Sequence, residues 1–169
     1  EHATPEMLRK NVWFSIKDLK IINEKVYISF TNEVKENCWN VSVISSDLNY
    51  DELYFKKVFA NSECADSINP VDKQFNAHQS GGRILYYDDN HILLTHGDFR
   101  SRERAQSLDS QFGKVLKINI ITGEYELATM GHRNPGGFFY DKINRFYLLT
   151  ENGPMGGDEI NLISLKGNK

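Results

Sequence analysis

No apolar run in this 169-residue chain approaches the ~20 residues that a membrane-spanning helix needs. There is no excess of basic charge either: the net charge is −3, which leaves no positive field of the kind that gathers nucleic acid. The first residues, EHATPEML, lack a basic segment followed by an apolar one, so they are not an intact signal peptide. Such a signal would have been removed, or the chain would begin inside a longer one. Cysteine is nearly absent. Cys38 and Cys64 have no CxxC partner, which argues against a zinc or redox motif. They flank what reads as a two-stranded hairpin, so they are either two buried thiols or one disulfide. Pairing is the expectation, and it would need an oxidising compartment. Helical periodicity is also scarce. SRERAQSLDSQFG has room for a helical turn but is polar, and it reads as a loop. No low-complexity linker divides the chain, so residues 1–169 are taken as one domain.

What remains is a succession of short strands. KVYISFTN alternates Val26, Ile28 and Phe30 against Tyr27, Ser29 and Thr31. CWNVSVISSD pairs with LYFKKVF across DLNYDE. GGRILYYDDNHILLTHGD is a hairpin turning at Asp88, Asp89 and Asn90. KVLKINIITGEYELATMG is another, turning at Thr122-Gly123, and PGGFFYDKINRFYLLTEN a third, turning at Asp141 to Asn144. DEINLISLKG begins a further strand. Evenly spaced hairpins of this kind indicate an all-β sandwich, barrel or propeller, and the repeated strand–turn–strand pattern favours a propeller. At ~40–50 residues per four-stranded blade the chain holds about three to four blades.

Several polar groups stand out against this background. His78, in AHQSGGRI just before a strand, is either an ordinary surface histidine or a general base, because an imidazole can accept a proton near neutral pH. Arg83 offers either a fork for a carboxylate or a structural bridge between blades. Asp98, in THGDFRSRERAQ, suits a turn cap, and Arg100, Arg102, Glu103 and Arg104 read as a solvated loop. His91 and His96 have no metal-ligand partner at a recognisable interval and are taken as structural. In GHRNPGG, Pro135 holds Asn134 extended, so Arg133 and Asn134 point to opposite sides of the chain. A guanidinium and an amide placed so suit a planar ligand bearing carboxylates or carbonyls. In ENGPMGGDE the Gly153-Pro154 loop can turn carbonyls outward, as oxygen ligands for a hard cation such as calcium, although it lacks EF-hand spacing. Asp158 and Glu159 have turn capping and an interstrand ion pair as their simpler roles.

Together, HQSGGRI, HILLTHGD, AQSLDSQFGKVLKIN, GHRNPGG and TENGPMGGDEINLI, in that order from His78 to Ile163, resemble the glucose/sorbosone dehydrogenase family of soluble quinoprotein glucose dehydrogenases and aldose sugar dehydrogenases. Residues 1–77 are compatible with an earlier blade and a half. The resemblance implies a six-bladed propeller and a cofactor, pyrroloquinoline quinone, bound with calcium. It implies oxidation of an aldose at its C1 hydroxyl to a lactone, with hydride transfer to the quinone. His78 then matches the catalytic base. Arg133 and Asn134 match residues that hold the quinone, Arg133 also stabilising its developing negative oxygen. The carbonyls of Gly153 and Pro154 match calcium ligands. A periplasmic or secreted location is usual for such proteins.

The chain departs from the family pattern at Gly136, where Gln is common, and at Asn152, where His or Gln is common. The family also continues past INLI into further blades that supply a lysine and arginines to the quinone. The expectation is therefore a partial propeller, incomplete at its C-terminus, whose exposed edge invites partners: the remaining blades or a second copy. Two other readings stand beside the enzyme: a non-catalytic propeller module that binds carbohydrate or a protein, and a calcium-stabilised structural domain.

Overall fold

The computed structural model describes residues 12–165 and shows three antiparallel sheets in chain order. Blade one holds β1 (Ile16–Ile22), β2 (Lys25–Lys35), β3 (Cys38–Asp47) and β4 (Lys56–Phe59), paired in that order, with the two-residue β5 (Ala65–Asp66) added beside β3. Blade two is the four-stranded meander β6 (Gly81–Asp88), β7 (His91–His96), β8 (Lys114–Asn119) and β9 (Tyr125–Met130). Blade three holds β10 (Pro135–Asp141), β11 (Phe146–Glu151) and β12 (Glu159–Ile163). The first strands of the blades meet: β6 lies between β1 and β10, as inner strands around a propeller axis do.

Alternation along the strands builds two cores, one on each side of blade two. Ile92 and Leu94 of β7 share a face with Ile84, Leu116 and Ile118, and pack on Tyr27, Trp39, Val41 and Val43 of blade one. Leu93 points the other way with Val115, against Tyr147, Leu149 and Ile163 of blade three. Because both of its faces are covered, β7 reads as a continuous apolar run rather than an alternating one. The outer blades each have a face turned away from blade two, and those faces carry exposed Leu19 and Ile21 on blade one, and Phe139, Ile160 and Leu162 on blade three.

Arg83 stitches the inner strands together. Its Nε–H donates to the Gly136 carbonyl on β10 (2.5 Å) and its Nη1 to the Lys17 carbonyl on β1 (3.0 Å). Asp18 adds to this seam, accepting the Ile84 N–H (2.9 Å) and lying 3.9 Å from the guanidinium. Of the two roles the sequence leaves open for Arg83, the structure shows the bridge between blades, made mainly to backbone carbonyls. Gly82 has φ +100°, and a Cβ there would lie 2.4 Å from Lys17 Cβ, so only glycine allows β6 to approach β1 this closely.

The segment 101–113 differs from expectation. Instead of a loop throughout, it contains a one-turn helix, α1 (Arg102–Gln106). Its stabilising contact comes from a distant position that periodicity cannot register. The fully buried Lys114 sends its ammonium to the carbonyls of Arg104 (2.8 Å), Ala105 (2.9 Å) and Phe112 (2.7 Å), the first two of which also accept the Ser107 and Gly131 N–H groups. Arg104 is no solvated side chain either. It donates to the Cys64 carbonyl (3.0 Å), lies 3.8 Å from Glu63 and sits over the Phe112 ring. His96 is structural, as expected: its Nδ1 meets the Gly97 carbonyl (2.8 Å) while Nε2 accepts the Val41 N–H (3.3 Å), and burial holds its pKa down to about 4.

Cys38 and Cys64 form a disulfide, beside the short β3–β5 pairing of Cys38 with Asp66 and Trp39 with Ala65. It closes a loop with a sequence separation of 26, which chain-entropy arguments make worth about 3.5 kcal/mol. Urea unfolding of a Cys38→Ser/Cys64→Ser double variant should show a loss of about 2–4 kcal/mol; an unchanged midpoint would contradict this. Lys114→Met should cost about 2–4 kcal/mol in the same measurement, since it removes a charged donor from three carbonyls, of which Arg104 and Ala105 keep only a backbone N–H.

Candidate functional site

Four loops meet at one end of the inner strands, and backbone hydrogen bonds tie them into a single rim. The loop before β6 carries His78. The segment after β7 carries Asp98, the loop before β10 carries Arg133 and Asn134, and the loop after β11 carries Gly153 and Pro154. Asn76 N–H donates to the Phe99 carbonyl (3.2 Å), Phe99 N–H to Gln79 (3.1 Å), Gly97 N–H to Ser80 (2.8 Å) and Asp98 N–H to Arg133 (2.9 Å). Asn152 N–H donates to the Asn134 carbonyl (3.2 Å), and Gly81 N–H reaches the Asn134 side-chain oxygen (3.3 Å). The loops singled out from the sequence are therefore brought together, although they come from three hairpins.

His78 is exposed. Its backbone N–H is held by Asn76 Oδ1 (2.9 Å), and its ring lies against Trp13, with centroids 5.4 Å apart. Arg133 is half-buried. Its N–H donates to Glu151 Oε1 (2.9 Å), and its Nη1 to the Asn152 carbonyl (2.6 Å), which fixes the direction of the guanidinium. Asn134 Nδ2 lies 3.5 Å from Asn152 Oδ1. A Cβ built on Gly136 would have only Asn152 Oδ1 within 4 Å, at 3.8 Å, so the two positions that depart from the family pattern face each other across open space.

In the loop 151–159, a Cβ on Gly153 would lie 1.7 Å from the Gly157 carbonyl oxygen, so the loop closes on itself as only glycine permits. Gly157 N–H donates to the Pro154 carbonyl (3.1 Å), and Asp158 accepts the Gly153 N–H (3.0 Å), the capping role anticipated for it. Glu159 accepts from Asn161 Nδ2 (3.2 Å) and lies opposite Glu151, so no interstrand ion pair forms between them. Among the described residues no cluster of three or more His, Cys, Asp or Glu side chains could hold a metal. A cation here would rest on backbone carbonyls, with the second lone pair of Pro154 and the Asp158 carboxylate nearby. That oxygen-only set is the chemistry a hard cation takes.

Sequence reasoning missed how deeply two acids lie. Asp98 does bond a turn amide, Arg100 N–H at 2.8 Å, but it is also buried. Burial pushes its pKa up to about 6, against the opposing pull of the Arg100 N–H, Arg133 and Arg102. Glu151 is buried against His132, also buried. Both residues lie inside the singled-out motifs, His132 in GHRNPGG and Glu151 in ENGPMGGDE, but nothing in the sequence pairs them. Three buried side-chain polar atoms on the rim loops, Gln79 Oε1, Ser80 Oγ and Arg100 Nε, lack a hydrogen-bond partner. Arg100 Nε and Ser80 Oγ can donate, which suits a ligand bearing anionic oxygens, whereas Gln79 Oε1 can only accept.

The Glucose / Sorbosone dehydrogenase family model matches residues 21–168. This chain belongs to that family. It is 30% identical over 105 residues to the aldose sugar dehydrogenase YliI of Escherichia coli, covering 54% of this chain and 28% of that protein. A protein of Synechocystis, slr1608, is likewise 30% identical over 106 residues, covering 49% of this chain and 26% of that one. The chain thus spans little more than a quarter of these curated relatives. Among solved structures, the apo soluble aldose sugar dehydrogenase of Escherichia coli superposes with a TM-score of 0.71 at 20% identity, covering 91% of this chain and 48% of that one. The PQQ-bound aldose sugar dehydrogenase of Streptomyces coelicolor superposes with a TM-score of 0.66 at 20% identity, covering 85% and 42%. These likenesses confirm the β-propeller fold.

The raised pKa of Asp98 fixes a sign for pH dependence. Between its ordinary value of 3.8 and about 6 the folded state holds the proton more tightly than the unfolded state, so stability falls as pH rises through that window. Asp98→Asn should remove that fall, and melting curves of parent and variant at pH 4 and pH 7 would show it. An unchanged pH dependence would mean that Asp98 ionises freely.

Proposed function

We propose that the chain forms part of a quinone-dependent aldose dehydrogenase that oxidises the C1 hydroxyl of a sugar to a lactone. The observation that carries this reading is the rim itself. Four loops from three hairpins are hydrogen-bonded together so that His78, Arg133, Asn134 and the Gly153-Pro154 turn share one end of the inner strands. Membership of the glucose/sorbosone dehydrogenase family supports it, as does a structural relative described in its PQQ-bound form.

In this reading pyrroloquinoline quinone, when bound, supplies the hydride acceptor. His78, exposed and braced on Trp13, accepts the proton of the sugar hydroxyl. Arg133 presents a guanidinium whose direction the Asn152 carbonyl sets, and with the Asn134 amide it binds carboxylates and negative oxygen. The carbonyls of Gly153 and Pro154, with calcium, complete the site. The blades beyond this chain's three, from the rest of a longer chain or from a second copy, close the ring. The disulfide suits an oxidising compartment, so we place the protein in the periplasm or outside the cell.

The test is aldose-dependent dye reduction by the quinone-loaded protein. His78→Ala should lower turnover by at least about 100-fold, as loss of a general base does, and leave quinone affinity within a few-fold of the parent. Equal turnover in the two proteins would remove His78 from the chemistry. Quinone binding without any sugar oxidation would favour a non-catalytic module.

A further inference from the structure

The loops bearing Arg133 and Asn152 are joined by a buried side-chain chain that no step above employs. Thr129 Oγ1 lies 2.7 Å from His132 Nε2, and His132 Nδ1 lies 2.9 Å from Glu151 Oε2. The other oxygen of the same carboxylate, Oε1, accepts the Arg133 N–H at 2.9 Å. His132 and Glu151 are both nine-tenths or more buried. A carboxylate can only accept, so Nδ1 carries a hydrogen and Nε2 is left to the Thr129 hydroxyl. The backbone of His132 is anchored too, its N–H donating to the Gly113 carbonyl (3.0 Å), while the Asp98 N–H takes up the Arg133 carbonyl (2.9 Å).

We propose that His132 and Glu151 are positioning residues, a lock that fixes the backbone of Arg133 and so aims its guanidinium at an anionic ligand on the rim. Glu151 closes β11, and Asn152, the next residue, accepts the Arg133 guanidinium through its carbonyl at 2.6 Å. One short segment thus holds Arg133 at two points, the amide through Glu151 and the side chain through Asn152. Asn152 N–H in turn donates to the Asn134 carbonyl, so the second ligand-facing residue moves with the first. Burial makes the lock demanding, because a group left without its partner here has no water to turn to.

Glu151→Gln keeps the shape and breaks the pattern. A glutamine has one acceptor oxygen for two donors, and its NH₂ must face either His132 Nδ1–H or Arg133 N–H. The role assigned to Arg133 as a ligand group rests on the proposed quinone function, but the lock does not, and the experiment separates them. Hydrogen exchange at the Arg133 amide and the ¹⁵N signals of His132 are measured on the unliganded chain, and the dissociation constant for pyrroloquinoline quinone is measured alongside. In Glu151→Gln the Arg133 amide should exchange at least ~10-fold faster, since its carboxylate acceptor is either turned away or replaced by a neutral amide oxygen, a weaker partner. The Nδ1–H signature of His132 should shift, and quinone should bind ~10-fold more weakly. Cys38→Ser/Cys64→Ser, a destabilising change in blade one that contacts neither loop, should leave all three readouts as in the parent. If Glu151→Gln does not fold, Thr129→Val takes the other partner from His132, and the exchange and ¹⁵N readouts must still move. Unchanged Arg133 exchange in a folded variant overturns the lock. Moved exchange with quinone affinity unchanged overturns its aiming role. No quinone binding by the parent defeats the functional reading, and the exchange data then decide the lock alone.

Discussion

Arg83 reaches in two directions at once, and the site depends on that reach. Its planar fork spans from the Gly136 carbonyl on one neighbouring blade to the Lys17 carbonyl on the other. Both carbonyls sit at breaks in strand register, Lys17 between Ile16 and Asp18 and Gly136 between Pro135 and Gly137, and Arg83 satisfies them while holding three inner strands side by side. Thr95 reinforces the seam, its hydroxyl oxygen accepting the Gly82 and Arg83 N–H groups and donating to the Pro135 carbonyl. Where these strands begin or end, the rim loops begin, so the spacing of His78, Asp98, Arg133 and Asn134 is inherited from the spacing of the blades. A site of this kind is carried by loops but dimensioned by strands.

The division of labour among the polar residues follows from burial. Groups turned inward are spent on other groups of the protein: Lys114 on three carbonyls, Glu63 on the Ser110 hydroxyl and the Gln111 N–H, and Glu151 on the His132 ring and the Arg133 N–H. Groups at the surface of the rim, His78 foremost, remain available to a ligand. Asp98 lies between the two classes, buried enough for its carboxyl to hold a proton to about pH 6, yet bonded through its own N–H to the loop of Arg133.

Much of the fold was legible because period-two alternation and turn residues survive in each hairpin. The turns at Asp89-Asn90, at Thr122-Gly123 and after Asp141 fall where the sequence places them. The partner strand around LYFKKVF was read too long: only Lys56–Phe59 pairs with β3, and Leu53 and Tyr54 are exposed. The helix at Arg102–Gln106 escaped for a different reason, since its support is a side-chain bond from Lys114 to its carbonyls, which apolar periodicity does not register. Motifs identified the rim loops, and composition hinted at their chemistry. Neither could reveal that Glu151 and His132 meet, because they stand 19 residues apart and their contact exists only once β10 and β11 have paired.

The account turns on whether this rim holds an anionic quinone through Arg133. Equilibrium titration of the chain with pyrroloquinoline quinone, in calcium and then in chelator, measures that directly. Saturable binding that weakens in chelator and is lost in Arg133→Ala is the predicted result. Binding that is indifferent to Arg133→Ala, or no binding even when the remaining blades are supplied, would contradict it.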